Sequence, residues 1–187
     1  MKLYKYIFLG LMALLLVAAT LLICYGGSNM RAERALKSFS KEIEKGNLGD
    51  ISITIYFYPN IFTSLPWSIE ELIKHCQEHQ DSITVVDGVS LSEHADLLRQ
   101  LGSVVITPIK QKSLLDARIY YVFETKQGKK ILDVAMWGSG DYSSIFVNGV
   151  EVEESGLFYR VLVPFLPDEA NWLETWADKC EKGRRDY

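Results

Sequence analysis

The chain has 187 residues, 48% of them hydrophobic, and its 20 basic and 24 acidic side chains leave a net charge of −4. That length and apolar content are enough for one domain with a real core. The acidic balance argues against nucleic acid as a partner, because phosphate binding needs a basic surface, and the sequence shows no repeat and no low-complexity segment.

Residues 6–25, YIFLGLMALLLVAATLLICY, contain neither charge nor proline. At about 1.5 Å per residue they make roughly 30 Å of helix, one hydrocarbon core. Tyr4, Tyr6 and Tyr25 stand at its two ends, where amphipathic rings prefer the headgroup level. The stretch reads as an uncleaved signal anchor, with a cleaved signal as the lesser option. Cleavage after Val17-Ala18-Ala19 would leave a greasy new terminus, and Ile23 stands where lipid attachment at Cys24 would want a small residue. Lys2 and Lys5 before the stretch are balanced by Arg31, Arg34 and Lys37 after it. Orientation therefore rests on a short tail preceding a long domain, which places the domain outside. The expected division is residues 1–28 as tail and anchor and residues 29–187 as a single extracytoplasmic domain, whose net charge without Lys2 and Lys5 is −6.

The domain opens with an amphipathic helix. Ala32, Ala35, Leu36, Phe39 and Ile43 share one face, while Arg31, Arg34, Lys37, Lys41 and Lys45 form a basic stripe on the other. The stripe could rest against anionic headgroups; the plainer reading is a solvated face with Glu33, Glu42 and Glu44 interleaved. DISITIYFYP then alternates as a strand, with Ile51, Ile53, Ile55 and Phe57 on one side and Ser52, Thr54, Tyr56 and Tyr58 on the other. PNIFTSLP is a loop, after which Ser68 and Glu71 have capping-box spacing and Trp67 and Leu72 suit a hydrophobic staple. Ile69, Leu72, Ile73 and Cys76 are the buried face of that helix. SITVV is a short strand that breaks at Asp87-Gly88, Ser90 and Glu93 repeat the capping pattern for a helix stopping at Gly102, and SVVIT is a short strand or edge segment.

The second half is β-rich. ARIYYVFET and KKILDVAMW form a hairpin around Gln127-Gly128, and SSIFV and VEVEE form another around Asn148-Gly149, the strongest local signal in the chain. GLFYRVLVPF reads as the next strand, and Asp168 caps a last helix in which Trp172, Trp176 and Cys180 recur every four residues until Gly183. The expected fold class is α+β: a transmembrane helix, then one domain with a largely antiparallel sheet, a C-terminal meander and helices packed on one face.

Few constellations carry chemistry. His75 and His79 lie at i and i+4 with Glu71 one turn earlier, a weak metal candidate. The zincin pattern wants a glutamate where Cys76 stands, and no third ligand is specified, so no bound metal and no cofactor are expected. Ser139 in MWGSGDYSS lacks both the nucleophile-elbow and the phosphate-loop pattern, and nothing ties His94 to it. Cys76 and Cys180 fall on apolar helix faces and read as core thiols; their spacing leaves pairing open. The rings of Tyr56, Tyr58, Tyr120, Trp137 and Tyr142 could form a binding surface on the polar side of the sheet, or be core under covering helices.

The run LDARIYYVFETKQGKKILDVAMWGSGDYSSIFVNGVEVEESGLFYRVLVPFLP, with YYVFET, FVNGVEV and PFLP as its suggestive pieces, resembles small uncharacterised membrane-anchored proteins of Gram-positive (Firmicutes-type) gut bacteria. The resemblance covers about a third of the chain, is structural in character and transfers no functional residue; it implies a bacterial envelope setting. The leading functional expectation is a non-enzymatic, membrane-tethered extracytoplasmic module that binds a protein, peptide or glycan. The alternatives are an envelope hydrolase or metalloenzyme using His75 and His79, and a cytoplasm-facing regulatory domain if the orientation is reversed.

Overall fold

Alternation along 51–57 sets the frame: Ile51, Ile53 and Ile55 are buried on one face, and Ser52, Thr54 and Tyr56 are half-buried on the other. The structure, a computed structural model, describes residues 12, 30–58, 65–79, 82–107, 109, 115–137, 144–153 and 155–183. Apart from Met12, the apolar stretch 6–25 lies outside the described residues, among which no helix is long and apolar enough to cross a membrane.

Six strands form one antiparallel sheet in the spatial order β2-β1-β3-β4-β5-β6. They are β1 (Ile51–Phe57), β2 (Ile83–Val86), β3 (Ile119–Thr125), β4 (Lys130–Trp137), β5 (Ser144–Val147) and β6 (Val150–Val152). β3 to β6 are the expected meander. Between β5 and β6, Asn148 (φ 48°) and Gly149 (φ 75°) both occupy the left-handed region, which the tight hairpin turn requires of its two central residues. Beyond β6, the segment read as an edge caps the sheet. The Glu153 N–H donates to the Thr107 carbonyl at 2.8 Å, and the Ile109 N–H donates to the Glu151 carbonyl at 3.2 Å. These bonds occupy backbone groups that an open edge would offer to another chain.

The helices are α1 (30–44), α2 (Ile69–Glu78), α3 (Gly88–Glu93), α4 (Ala95–Gly102), α5 (Leu157–Arg160) and α6 (Trp172–Gly183). They cover both faces of the sheet, not one. The main core joins Phe39 of α1, Leu91 of α3, Leu98 and Leu101 of α4, Phe158 of α5 and Leu173 of α6 to the Ile53, Tyr121 and Val134 side of the sheet. A smaller core on the opposite side joins Leu72 and Cys76 of α2 to Ala117, Tyr120, Val122 and Ala135. An uncovered face would leave Tyr120 and Val122 in water, and burying such side chains contributes roughly 1.5–3 kcal/mol each.

Three further expectations are corrected. GLFYRVLVPF is not a strand: α5 and a 3-10 turn at Val163–Phe165 occupy it, with Phe158, Tyr159, Val161 and Leu162 all buried. Buried positions at i, i+1, i+3 and i+4 suit a helical turn, and the β-branched valines mislead because the whole run is interior. The cap of the helix after β2 is Asp87, whose Oδ1 accepts from the Ser90 N–H at 3.0 Å, not Ser90 itself. Asp168 does not cap α6 either; it opens a separate 3-10 turn, Asp168–Ala170.

Candidate functional site

The α2 face of the sheet carries a row of directly paired residues running from Ile83 through Tyr56, Tyr120, Ala135 and Phe146 to Glu151. α2 lies over one end of this row, and its start is fixed by local chemistry. The Glu71 N–H donates to Ser68 Oγ at 3.2 Å, and the Ser68 N–H donates to Glu71 Oε2 at 2.8 Å, the expected capping box. These bonds hold the Glu71 carboxyl below its ordinary range. Trp67 is pinned just before the cap. Its N–H donates to Asp116 Oδ1 at 2.9 Å, and its carbonyl accepts from the Ala117 N–H at 2.8 Å.

Arg118 completes this clamp. Although only 2% exposed, its guanidinium meets Asp116 Oδ1 at 2.9 Å, donates to the Leu65 carbonyl at 3.0 Å and lies 4.5 Å from the centre of the Trp67 ring. Burying that charge is tolerable because a carboxylate, a carbonyl and a π face all receive it. Tyr58 extends the β1–β3 ladder through its N–H to the Arg118 carbonyl at 2.9 Å, and its ring stacks on Trp67 at 4.9 Å, 10° from parallel. His75 meets Tyr58 edge-on at 4.4 Å and Trp67 at 4.9 Å, and His79 lies 4.6 Å beyond it. The result is a continuous platform of two aromatic rings and two imidazoles at one end of the sheet. Tyr58, Trp67 and His75 are half-buried, while His79 is exposed. Trp67, Glu71, Lys74, His75 and Glu78 line a shallow groove of about 270 Å³ along it.

No family model, curated protein or solved structure matches this chain.

The structure separates the sequence candidates. Tyr58, His75 and His79 come together around His75, and Trp67, half of the expected staple, joins them against Tyr58 and His75. Arg118 and Asp116 were missed; the available signal was a charged residue in phase with Tyr120 on the partly polar side of β3. Tyr56 stacks on Tyr120 at 5.9 Å, but Tyr120 is only 8% exposed and belongs to the smaller core, so it is not a surface ring. Burial, with the Asp133 carboxylate nearby, pushes its hydroxyl well above the ordinary tyrosine range. Lys130 in turn pairs with Asp133. Trp137 leaves the row: its ring packs against Trp176 at 4.9 Å and Trp172 at 6.1 Å beside the main core. Tyr142 and Ser139 lie outside the described residues.

The weak metal set does not close. His75 and His79 converge, but Glu71 is held by the capping box, and Cys76 points into the smaller core with its thiol pushed up to about 11 by burial. His94 packs edge-on against Phe165 at 5.2 Å, beside helices of the main core on the opposite side of the sheet. Among the described residues no three potential ligands cluster. Cys76 and Cys180 are both buried, in cores separated by the sheet. What the platform offers chemically is a stacked Tyr58–Trp67 pair with two tilted imidazoles beside it, bordered by Lys74, Glu71 and Glu78.

Proposed function

We propose that this protein is a non-enzymatic binding module, tethered to the envelope membrane by residues 6–25 and holding its domain outside the cell. In this reading the Tyr58–Trp67–His75–His79 platform is the contact surface for a protein, peptide or glycan. The observation that carries it is the continuity of that platform: four rings linked through His75 at 4.4–4.9 Å, with Trp67 and His75 lining a groove that Lys74, Glu71 and Glu78 border with opposite charges. Aromatic anchors within a polar rim are the composition of contact surfaces. The Gram-positive setting suggested by the resemblance of the 115–167 run belongs to the same proposal.

The test is site-directed photo-crosslinking of the full chain in its native membrane, with the crosslinker at His79 or, as control, at Lys179 on α6. A discrete adduct at His79 alone, lost on His75→Ala, is the expected result. Equal capture at both positions, or none at His79, would remove the platform as the contact surface.

A further inference from the structure

α1 presents its cations where they can meet a flat surface. At about 100° per residue, Arg34, Lys37, Lys41 and Lys45 fall within about 80° of arc, centred roughly opposite Ala32, Leu36, Phe39 and Ile43. Those apolar residues are buried and all five cations of the stripe, Arg31 included, are exposed. Lys45, just past the end of α1, is paired with Glu42, and the exposed Glu33 and Glu44 border the crest on its Lys37 side. Glu42 turns to Asn47 and Lys45, each at 2.9 Å, Glu44 accepts from Ser40 Oγ at 3.1 Å, and Glu33 faces the adjoining groove. No ion pair among the described residues involves Arg31, Arg34, Lys37 or Lys41. Across that groove of about 290 Å³ from Lys37 stands Val105, an apolar side chain 84% exposed.

We infer that α1 lies along the membrane surface with this crest against anionic lipid headgroups, a reading that rests on the anchor proposed above. Only Gly26-Gly27-Ser28-Asn29 separates the apolar stretch from α1, a reach of about 14 Å at most. The helix itself is about 22 Å long. Standing upright, it would bring only Arg31 and Arg34 within the roughly 8 Å over which surface charge is felt at physiological salt. Lying flat, it also brings Lys37 and Lys41 to the surface, each of them strengthening attachment about fivefold. Charge complementarity selects the occupant: a net-acidic domain concentrates this exposed cationic row on the helix next to its anchor. The orientation also has a consequence for the binding platform. α1 and α2 cover opposite faces of the sheet, so seating α1 on the membrane turns the platform away from it.

Amine-reactive footprinting of the full chain, read lysine by lysine by mass spectrometry, tests this in phosphatidylcholine vesicles with and without phosphatidylglycerol. Lys37 and Lys41 should react about fivefold more slowly with the anionic lipid and recover in about 1 M salt, where the Debye length falls to about 3 Å. Lys74, on the far side of the sheet, should not change. The double variant Arg34→Glu/Lys41→Glu should lose the protection at Lys37. Equal labelling of Lys37, Lys41 and Lys74 in both lipids, or protection that survives the double variant, would overturn the inference. Flotation with pure phosphatidylcholine vesicles after a high-salt wash reads the anchor separately, because the crest has no partner there; failure to float sinks the anchor while the Lys37 protection still reports on α1.

Discussion

Gly88 is the residue where one methyl group should do the most damage. It opens α3 and touches the 3-10 turn Asn47–Asp50 that precedes β1. A Cβ there would stand 2.1 Å from the Leu48 carbonyl oxygen, 2.6 Å from Gly49 Cα and 2.7 Å from Gly49 C. All three are backbone atoms, so no side chain can rotate away, and the two elements must separate by about 1 Å. A gap of that size forfeits about a quarter to a half of the dispersion energy at each contact, and overpacking of this kind costs about 1–3 kcal/mol. The helix propensity regained on replacing glycine offsets less than about 1 kcal/mol of it. Gly88→Ala should therefore lose about 2 kcal/mol, a fall in melting temperature of about 4–8 °C for a chain of this size. Gly49→Ala is the internal control, because nothing lies within 4 Å of its Cβ. Thermal unfolding of the full-length chain in detergent, followed by near-ultraviolet circular dichroism, measures both. A Gly88→Ala protein as stable as Gly49→Ala would refute the close approach of α3 to this turn.

Ser68→Ala should remove the cap of α2 and cost about 1 kcal/mol, seen as a lower melting temperature. The capping box also predicts a pH dependence. The folded Glu71 carboxyl is held below its ordinary 4.5, so its contribution is complete above that value and disappears as pH falls through the lower folded value; Ser68→Ala should flatten this part of the acid-stability profile. Asp116→Ala should destabilise by about 3 kcal/mol, since it takes a carboxylate from buried Arg118 and the acceptor from the Trp67 N–H, and denaturant titration tests it. In a Cys24→Ser background, a thiol reagent should label Cys76 and Cys180 slowly until the protein is unfolded, and mild oxidation should form no intrachain disulfide; prompt labelling or a disulfide would contradict their placement in separate cores. Elemental analysis after purification without a histidine tag should find well under one zinc per chain, and a full equivalent lost on His75→Ala/His79→Ala would restore the metalloenzyme reading.

What the sequence determined by itself is what adjacent residues decide between them. Strict alternation from Ile51 to Tyr56 told β1 which side faces the main core, Ser68 and Glu71 specified a helix start, and Asn148-Gly149 specified a hairpin, because each signal acts within a few bonds of backbone. The 3.6-residue spacing of Ala32, Leu36, Phe39 and Ile43 likewise marked the inner face of α1. Tertiary structure decided what local pattern leaves undetermined. Phe158 to Leu162 is buried throughout, and a segment with no polar side shows no period from which to tell helix from strand. Alternation says which side of a strand is apolar, but not that α2 crosses the sheet to cover the other, so Tyr120 became core while Tyr58 stayed half-buried. The platform itself joins the residue after β1, the residue before the cap of α2 and the last turn of that helix with its C-cap. They converge only because Asp116 and Arg118, about 50 positions from Trp67 in the chain, hold that ring in place through pairings that only the folded chain can make.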